Sequence, residues 1–349
     1  MRSSYKESDV TILLKDITGL VEPLPAQKRE PLIQSGVHYC EMLPLEYEPT
    51  EKYIKEYEKA LADFSDITAD ACASAAEKIY AANSSPVLVS LARAGLPAGI
   101  IIKHYLEKKY KISVPHYAVS IIRGRGIDKN AMDFILSRHS PESIRFVDGW
   151  TGKGAIQRQV NEAMKDYSDI DPRLAVISDP AMITPFCGTH DDFLIASSCL
   201  NSVVSGLISR TFLRSDIIGE KDFHGAAYYG ELADRDRSYE FINAVESCMR
   251  YDISPDNEPF TYGSGLAEVE KIAKEYGISD INLVKPGIGE TTRVLLRRIP
   301  HMILIGENAE EKYIRHILEL AAEKNVPVRR YPLECYRACG IIKNMPADA

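Results

Sequence analysis

Three stretches of this chain hold residue types at spacings that do chemistry. In the first, the apolar residues Ile144, Phe146 and Val147 lead into Asp148-Gly149-Trp150 and then the turn Thr151-Gly152-Lys153-Gly154-Ala155. A buried strand that ends on an acid and a small-residue turn lets backbone N–H groups close around anionic oxygens, and the helix that follows points its positive end at them. The turn is not a Walker A loop, because Gly154 follows Lys153 where a Ser or Thr would hold the metal. Two more loops suit phosphate. Ser90-Leu91-Ala92-Arg93-Ala94-Gly95 sets one guanidinium among small residues, and Arg123-Gly124-Arg125-Gly126 sets two between glycines that let them move.

The second stretch is Cys187-Gly188-Thr189-His190-Asp191-Asp192. A thiol, an imidazole and acids are the parts of an activated nucleophile, with Cys187 attacking, His190 taking its proton and an acid orienting the ring. Spacing along the chain does not decide whether Cys187 and His190 face each other. The same stretch, with Asn201 and Ser205 beyond it, also suits an acceptor pocket.

The third is Gly287-Ile288-Gly289-Glu290-Thr291-Thr292-Arg293, before the apolar run Met302-Ile303-Leu304-Ile305. At a helix start, Glu290 can accept from base amino groups and Arg293 can pair with phosphate. The backbone at Gly287 and Gly289 can approach a sugar-phosphate chain.

These groups need a frame. Apolar, β-branched runs at 87–89, 117–122, 144–147, 174–177 and 193–195 alternate with helical patterns at 96–106 and 155–164. That alternation predicts an α/β fold with a doubly wound, mostly parallel sheet, whose loops converge at the carboxyl ends of the strands. The Pro/Asp/Asn-rich segment around 251–259 reads as a linker. Beyond it, helical spacing alternates with short apolar runs and predicts a small α/β/α unit. The expected organisation is an N-terminal extension over 1–65, forming a hood, a main domain over 66–250, a linker over 251–264 and a C-terminal domain over 265–349.

Length and composition set limits. At 349 residues, with 45% apolar and 26% charged content, the chain can bury more than one core. A net charge of −8 excludes a protein that is basic throughout, and leaves room for a local nucleic-acid site. No apolar run reaches the length of about 18 residues that a membrane span requires, and the first residues have no apolar signal core. The expectation is a soluble, cytoplasmic protein, with a homodimer allowed. The seven scattered cysteines include no Cys-x-x-Cys pair, which argues against a disulfide framework or a structural zinc.

The three anion-suited loops, in this order on one sheet, resemble those of type I phosphoribosyltransferases. The resemblance implies a Mg²⁺-dependent transferase that displaces pyrophosphate from phosphoribosyl pyrophosphate (PRPP) with a base-like small molecule. Asp148 would meet the ribose; Thr151, Gly152, Lys153, Gly154 and Ala155 the 5-phosphate. Ser90, Arg93, Ala94, Gly95, Arg123 and Arg125 would serve the pyrophosphate, and Mg²⁺ would enter on PRPP. Where that family carries a second acid, this chain has Gly149. The C-terminal unit resembles the Pelota and kink-turn-binding RNA domains, which implies structured RNA at Gly287, Gly289, Glu290, Thr292 and Arg293. Gly289 stands where those domains carry an Asn. The whole chain resembles a bacterial two-part family associated with tellurite resistance and stress response, sometimes labelled a cysteine protease. The expected function is therefore a phosphoribosyltransferase; the first alternative is a PRPP- or nucleotide-sensing RNA-binding regulator without turnover, and behind it stands a Cys187/His190 thiol hydrolase.

Overall fold

The computed structural model describes residues 1–255 and 257–343; the last six residues of the expected C-terminal domain lie outside them. Six strands form one sheet: β1 (Thr11–Ile12), β2 (Val87–Leu91), β3 (His116–Val119), β4 (Ile144–Trp150), β5 (Ala175–Ser178) and β6 (Phe186–Thr189). Their spatial order is β1-β3-β2-β4-β5-β6, and every pairing is parallel. Parallel strands are covered on both faces, which is why β2 and β5 are buried at every position and carry continuous apolar runs.

One face lies under the long helix α1 (Glu51–Ala82) and α2 (Gly95–Tyr110). In α1 the run Ala69, Ala71, Cys72, Ala73, Ala75 and Ala76 is wholly buried, because small side chains let the helix lie close to the strands. The approach is tightest at Gly188 of β6, where a Cβ would stand 2.0 Å from the Ala71 carbonyl oxygen. The opposite face packs against α3 (Ala155–Ala163), whose Val160 joins Val89, Phe146, Val176 and Cys187 in a second core. Helix α1 runs across the position where the sequence placed the end of an N-terminal extension, and Thr11–Ile12 of that extension is the sheet's first edge strand.

The sequence misplaced one strand. Residues 193–195 are buried in the core without strand pairing, and the sixth strand is Phe186–Thr189 instead. An apolar triplet reports burial and not pairing, while Gly188 hides a strand from a composition-based reading.

After α4 (Ser238–Ser247) the chain reaches the C-terminal unit, with α5 (Ser264–Glu275), β7 (Val284–Pro286), α6 (Ile288–Arg297), β8 (Pro300–Gly306), α7 (Glu311–Glu323), β9 (Val328–Tyr331) and β10 (Ala338–Ile342). Its sheet has the order β7-β10-β8-β9, with only β8 and β9 parallel. The two units share packing: Phe64 of α1 stacks on Tyr313 of α7 at 5.8 Å, and the Tyr53 hydroxyl donates to the Leu296 carbonyl at 2.6 Å. Among the described residues no helix is long and apolar enough to cross a membrane.

The Gly188 contact is rigid backbone on both sides. Gly188→Ala should lower unfolding free energy by about 1–3 kcal/mol, the usual range for overpacking, measurable by urea denaturation.

Candidate active site

The carboxyl ends of β4, β5 and β6 lie side by side, and the residues just beyond them form two adjoining sites. At the first, β6 carries Cys187 onto the same face as Val176, and the chain bends at His190 so that its ring turns back over the thiol. His190 Nε2 stands 3.5 Å from Cys187 Sγ, and His190 Nδ1 stands 3.3 Å from Asp179 Oδ2. The sulfur also stands 3.8 Å from His190 Nδ1, so thiol, imidazole and carboxylate form one compact cluster, their polar atoms within 4.8 Å of one another. Asp179, at the end of β5, is fully buried and fully satisfied: the Thr151 hydroxyl donates to Oδ1 at 2.5 Å, and the backbone N–H groups of Ile183 and Thr184 donate to Oδ2 at 2.7 and 2.9 Å. Its carbonyl takes the His190 Nδ1 contact at 3.0 Å as well.

Burial by itself lowers the basicity of His190. The hydrogen bonds that the ring donates to Asp179 and Cys187 overcome this and push the imidazole up to about 10. At neutral pH the ring is therefore an imidazolium, and it lies against the Cys187 sulfur. Cys187 is 0% exposed, and the ring of Phe260, from the segment joining the two units, lies 4.3 Å from the imidazole.

The other acids expected near the thiol do different work. Asp191 is exposed and meets Arg337 at 3.4 Å. Asp192 is buried and accepts from the backbone N–H groups of Ile288 and Arg337, at 2.9 and 2.8 Å, so it caps α6 of the C-terminal unit. Asn201 and Ser205 lie on a separate stretch, where the Ser205 hydroxyl donates to the Asn201 carbonyl. The sequence missed Asp179, although an acid just past an apolar run at a strand's carboxyl end was a usable signal.

The second site is the turn after β4. Asp148, Thr151, Gly152, Lys153, Gly154 and Ala155 line one cavity together with Ala94 and Arg123. Asp148 receives an N–H only from its neighbour Gly149, and burial pushes its carboxyl up to about 7. The remaining residues expected at this turn are elsewhere. Ser90 is buried and hydrogen-bonded to the Gly95 carbonyl and to His116. Arg93 is held by Glu46 at 3.1 Å and by the Ile208 carbonyl at 2.8 Å. Gly95 serves close packing, since a Cβ there would lie 2.3 Å from the Val147 carbonyl. Arg125 points away to Glu41. Among the described residues the one three-member cluster of possible metal ligands is Asp179, Cys187 and His190, a mixed S, N, O set unlike the oxygen shell that Mg²⁺ requires.

The expected RNA face is largely covered. Thr292 is fully buried, bonded to the Ile288 carbonyl and His316, and a Cβ at Gly289 would stand 3.4 Å from Ser198. Gly287, at φ +90°, adjoins Asp192, while Glu290 and Arg293 face the cavity beside the turn. A short polar motif does not reveal that another part of the chain docks on it.

A family model described as tellurite-like stress resistance cysteine protease StiP matches residues 3–246. The chain belongs to that family. The PELOTA RNA binding domain matches residues 263–344. A protein of Acinetobacter baylyi (strain ATCC 33305 / BD413 / ADP1), named cysteine protease StiP, is 33% identical over 365 aligned positions, covering 98% of this chain and 94% of its own. No solved structure matches the chain. Membership of the StiP family overturns the transferase expectation: the family and this relative are named cysteine proteases, which are hydrolases and not phosphoribosyltransferases. Of the loops carrying that resemblance, Ala94 and Arg123 line the cavity with the turn, while Arg93 and Arg125 are paired to acids outside it.

Asp148 offers a pH test. Its carboxyl is raised in the fold, so the stability it contributes is present below about pH 4 and is lost as pH rises through about 7. Asp148→Asn should match the wild type in Tm at pH 4 and exceed it by a few degrees at pH 8, by calorimetry across that range.

Proposed function

We propose that this protein is a thiol hydrolase that cleaves peptide bonds, with Cys187 as nucleophile, His190 as general base and then acid, and Asp179 as the group that orients the imidazole. One observation carries the reading: the sulfur and a buried carboxylate both lie against one imidazole, at 3.5 and 3.3 Å. The names of the family and of the relative support it.

The chemistry follows from the geometry. His190 already holds the proton that the sulfur gives up, and the sulfur attacks the peptide carbonyl carbon, opening its double bond onto oxygen. When that bond re-forms, the C–N bond breaks, His190 returns the proton to the departing amine, and an acyl thioester remains on Cys187. Water, deprotonated by His190, attacks the thioester; the C–S bond breaks, the acid leaves and the thiol is restored. Asp179 orients the ring and stabilises the imidazolium, as a buried orienting carboxylate does. Its bonds from Thr151, Ile183 and Thr184 keep it in place.

The thiol is fully covered, so substrate entry requires the segment bearing Phe260 to yield. This reaction takes no Mg²⁺. The likeness of the parallel sheet to type I phosphoribosyltransferases enters the reading as architecture alone, and RNA enters as the partner of the C-terminal unit.

With fluorescein-labelled casein as probe, Cys187→Ser and His190→Ala should each lower turnover at least about 10³-fold, and Asp179→Asn about 10²- to 10⁴-fold. EDTA should leave the rate unchanged. Full activity in Cys187→Ser would refute the assignment. Phe260→Ala should raise kcat/KM severalfold, and an unchanged value would rule out Phe260 as part of the cover.

A further inference from the structure

The cavity beside the turn is built by both units. Its volume is about 240 Å³, and four cations line it: Arg123 and Lys153 from the first unit, Lys285 and Arg293 from the second. Two carboxylates, Asp148 and Glu290, share the wall, and Glu290 is paired with Arg293 at 3.4 Å, leaving three cations without a carboxylate partner on it among the described residues. This concentration of positive charge stands in a chain of net charge −8. Lys153 is tied by its ammonium to the carbonyls of Ile281 and Val284, at 2.6 and 3.0 Å, which locks it at the seam with its charge undiminished by those partners. Burial, Lys285 and Arg123 push Lys153 down to about 8, and burial lowers Lys285 as well. Arg123 is exposed and the other three cations are half-buried, and like charges gathered on one wall are relieved by an anion.

The remaining wall is specific. Trp150, at the end of β4, is partly exposed and lines the cavity, and a Cβ at Gly289 would stand 4.0 Å from its ring. Glu290 faces the turn across the seam: a Cβ at Gly152 would lie 3.9 Å from its Cγ. An aromatic plane, an acceptor-only carboxylate and a group of cations are the three elements that recognise a base, its amino group and a phosphate.

We propose that this seam binds a nucleotide phosphate monoester, with Arg123, Lys153, Lys285 and Arg293 taking the phosphate, Trp150 stacking on the base and Glu290 accepting from its amino group. The same chemistry is presented by a free nucleoside monophosphate and by the phosphorylated end of an RNA strand. Because each unit supplies two of the cations, the bound ligand bridges them. The site takes no part in the thiol chemistry, so the two assignments fail independently.

Trp150 is the chain's single tryptophan and lines this cavity, so its fluorescence is a direct probe of it. The full chain is titrated with AMP, adenosine, inorganic phosphate, and a five-residue oligoadenylate bearing a 5′-phosphate or a 5′-hydroxyl; calorimetry on the same pairs detects binding that leaves the emission unchanged. AMP or the 5′-phosphorylated RNA should saturate, with at least tenfold weaker binding of adenosine, the 5′-hydroxyl RNA and inorganic phosphate. Lys285→Gln combined with Arg293→Gln should weaken binding at least tenfold at an unchanged Tm; where the pair lowers Tm, Lys285→Gln alone provides the reading. AMP binding as tightly as the phosphorylated RNA identifies the free nucleotide, and RNA binding tenfold tighter identifies the strand end. The proposal is overturned by no saturable binding, by equal affinity without the phosphate or without the nucleoside, or by variants that bind like the wild type.

Discussion

The buried carboxylate of Asp179 is the constraint around which the functional end of this molecule is arranged. A charge held out of water must have its lone pairs filled, and here a hydroxyl, two backbone N–H groups and an imidazole fill them. Each donor comes from a different piece of chain: Thr151 from beyond β4, Ile183 and Thr184 from the loop after β5, His190 from the bend after β6. Satisfying one side chain therefore fixes the relative positions of three strand ends. The hydrogen bond from Thr151 also makes the wall of the cationic cavity and the thiol site neighbours through a single contact.

A second buried acid does the same for the two units. Asp192 fills the start of α6, where a helix leaves N–H groups without partners, so the C-terminal unit has its cap supplied by the first. Arg337 adds a bond to the Asp192 carbonyl at 2.6 Å, and the Tyr336 hydroxyl donates to the Gly152 carbonyl at 2.7 Å. This docking covers the middle of the motif with which a Pelota-like domain was expected to meet RNA, and leaves Glu290 and Arg293 at the edge of a cavity shared by both units. The covered start of α6 and the cationic seam are thus two results of one packing arrangement.

Much of the frame was legible because its signals are local. The β-branched runs at 87–89, 144–147 and 174–177 became strands of the sheet, since a strand buried on both faces needs continuous apolar residues. The Thr151-to-Ala155 turn did come to line a cavity with Asp148, and the C-terminal unit did form as a separate small sheet. What could not be read were relations between distant segments. Arg93 looks like a free guanidinium until Glu46 is brought against it, and Asp192 looks like a partner for His190 until α6 is docked on it. The residue that does orient His190 stands eleven positions before it, next to Pro180, and only the pairing of β5 with β6 brings the two together. The resemblance of the phosphate-suited loops to those of a transferase was local in the same way, and said nothing of where Arg93 and Arg125 would find their partners.

The central claim is that Cys187 is an activated thiol and not an inert buried one, and Cys72 is its natural control. Both are fully buried, but Cys72 sits in the Ala-rich stretch of α1, where burial raises its thiol far above the ordinary range. The deciding measurement is the rate at which each cysteine of the native protein is alkylated by iodoacetamide at pH 7, followed by peptide mass spectrometry, in the wild type and in His190→Gln. The account predicts that Cys187 reacts at least tenfold faster than Cys72, and that the substitution removes the difference. Equal rates for Cys187 and Cys72 in the wild type would contradict it.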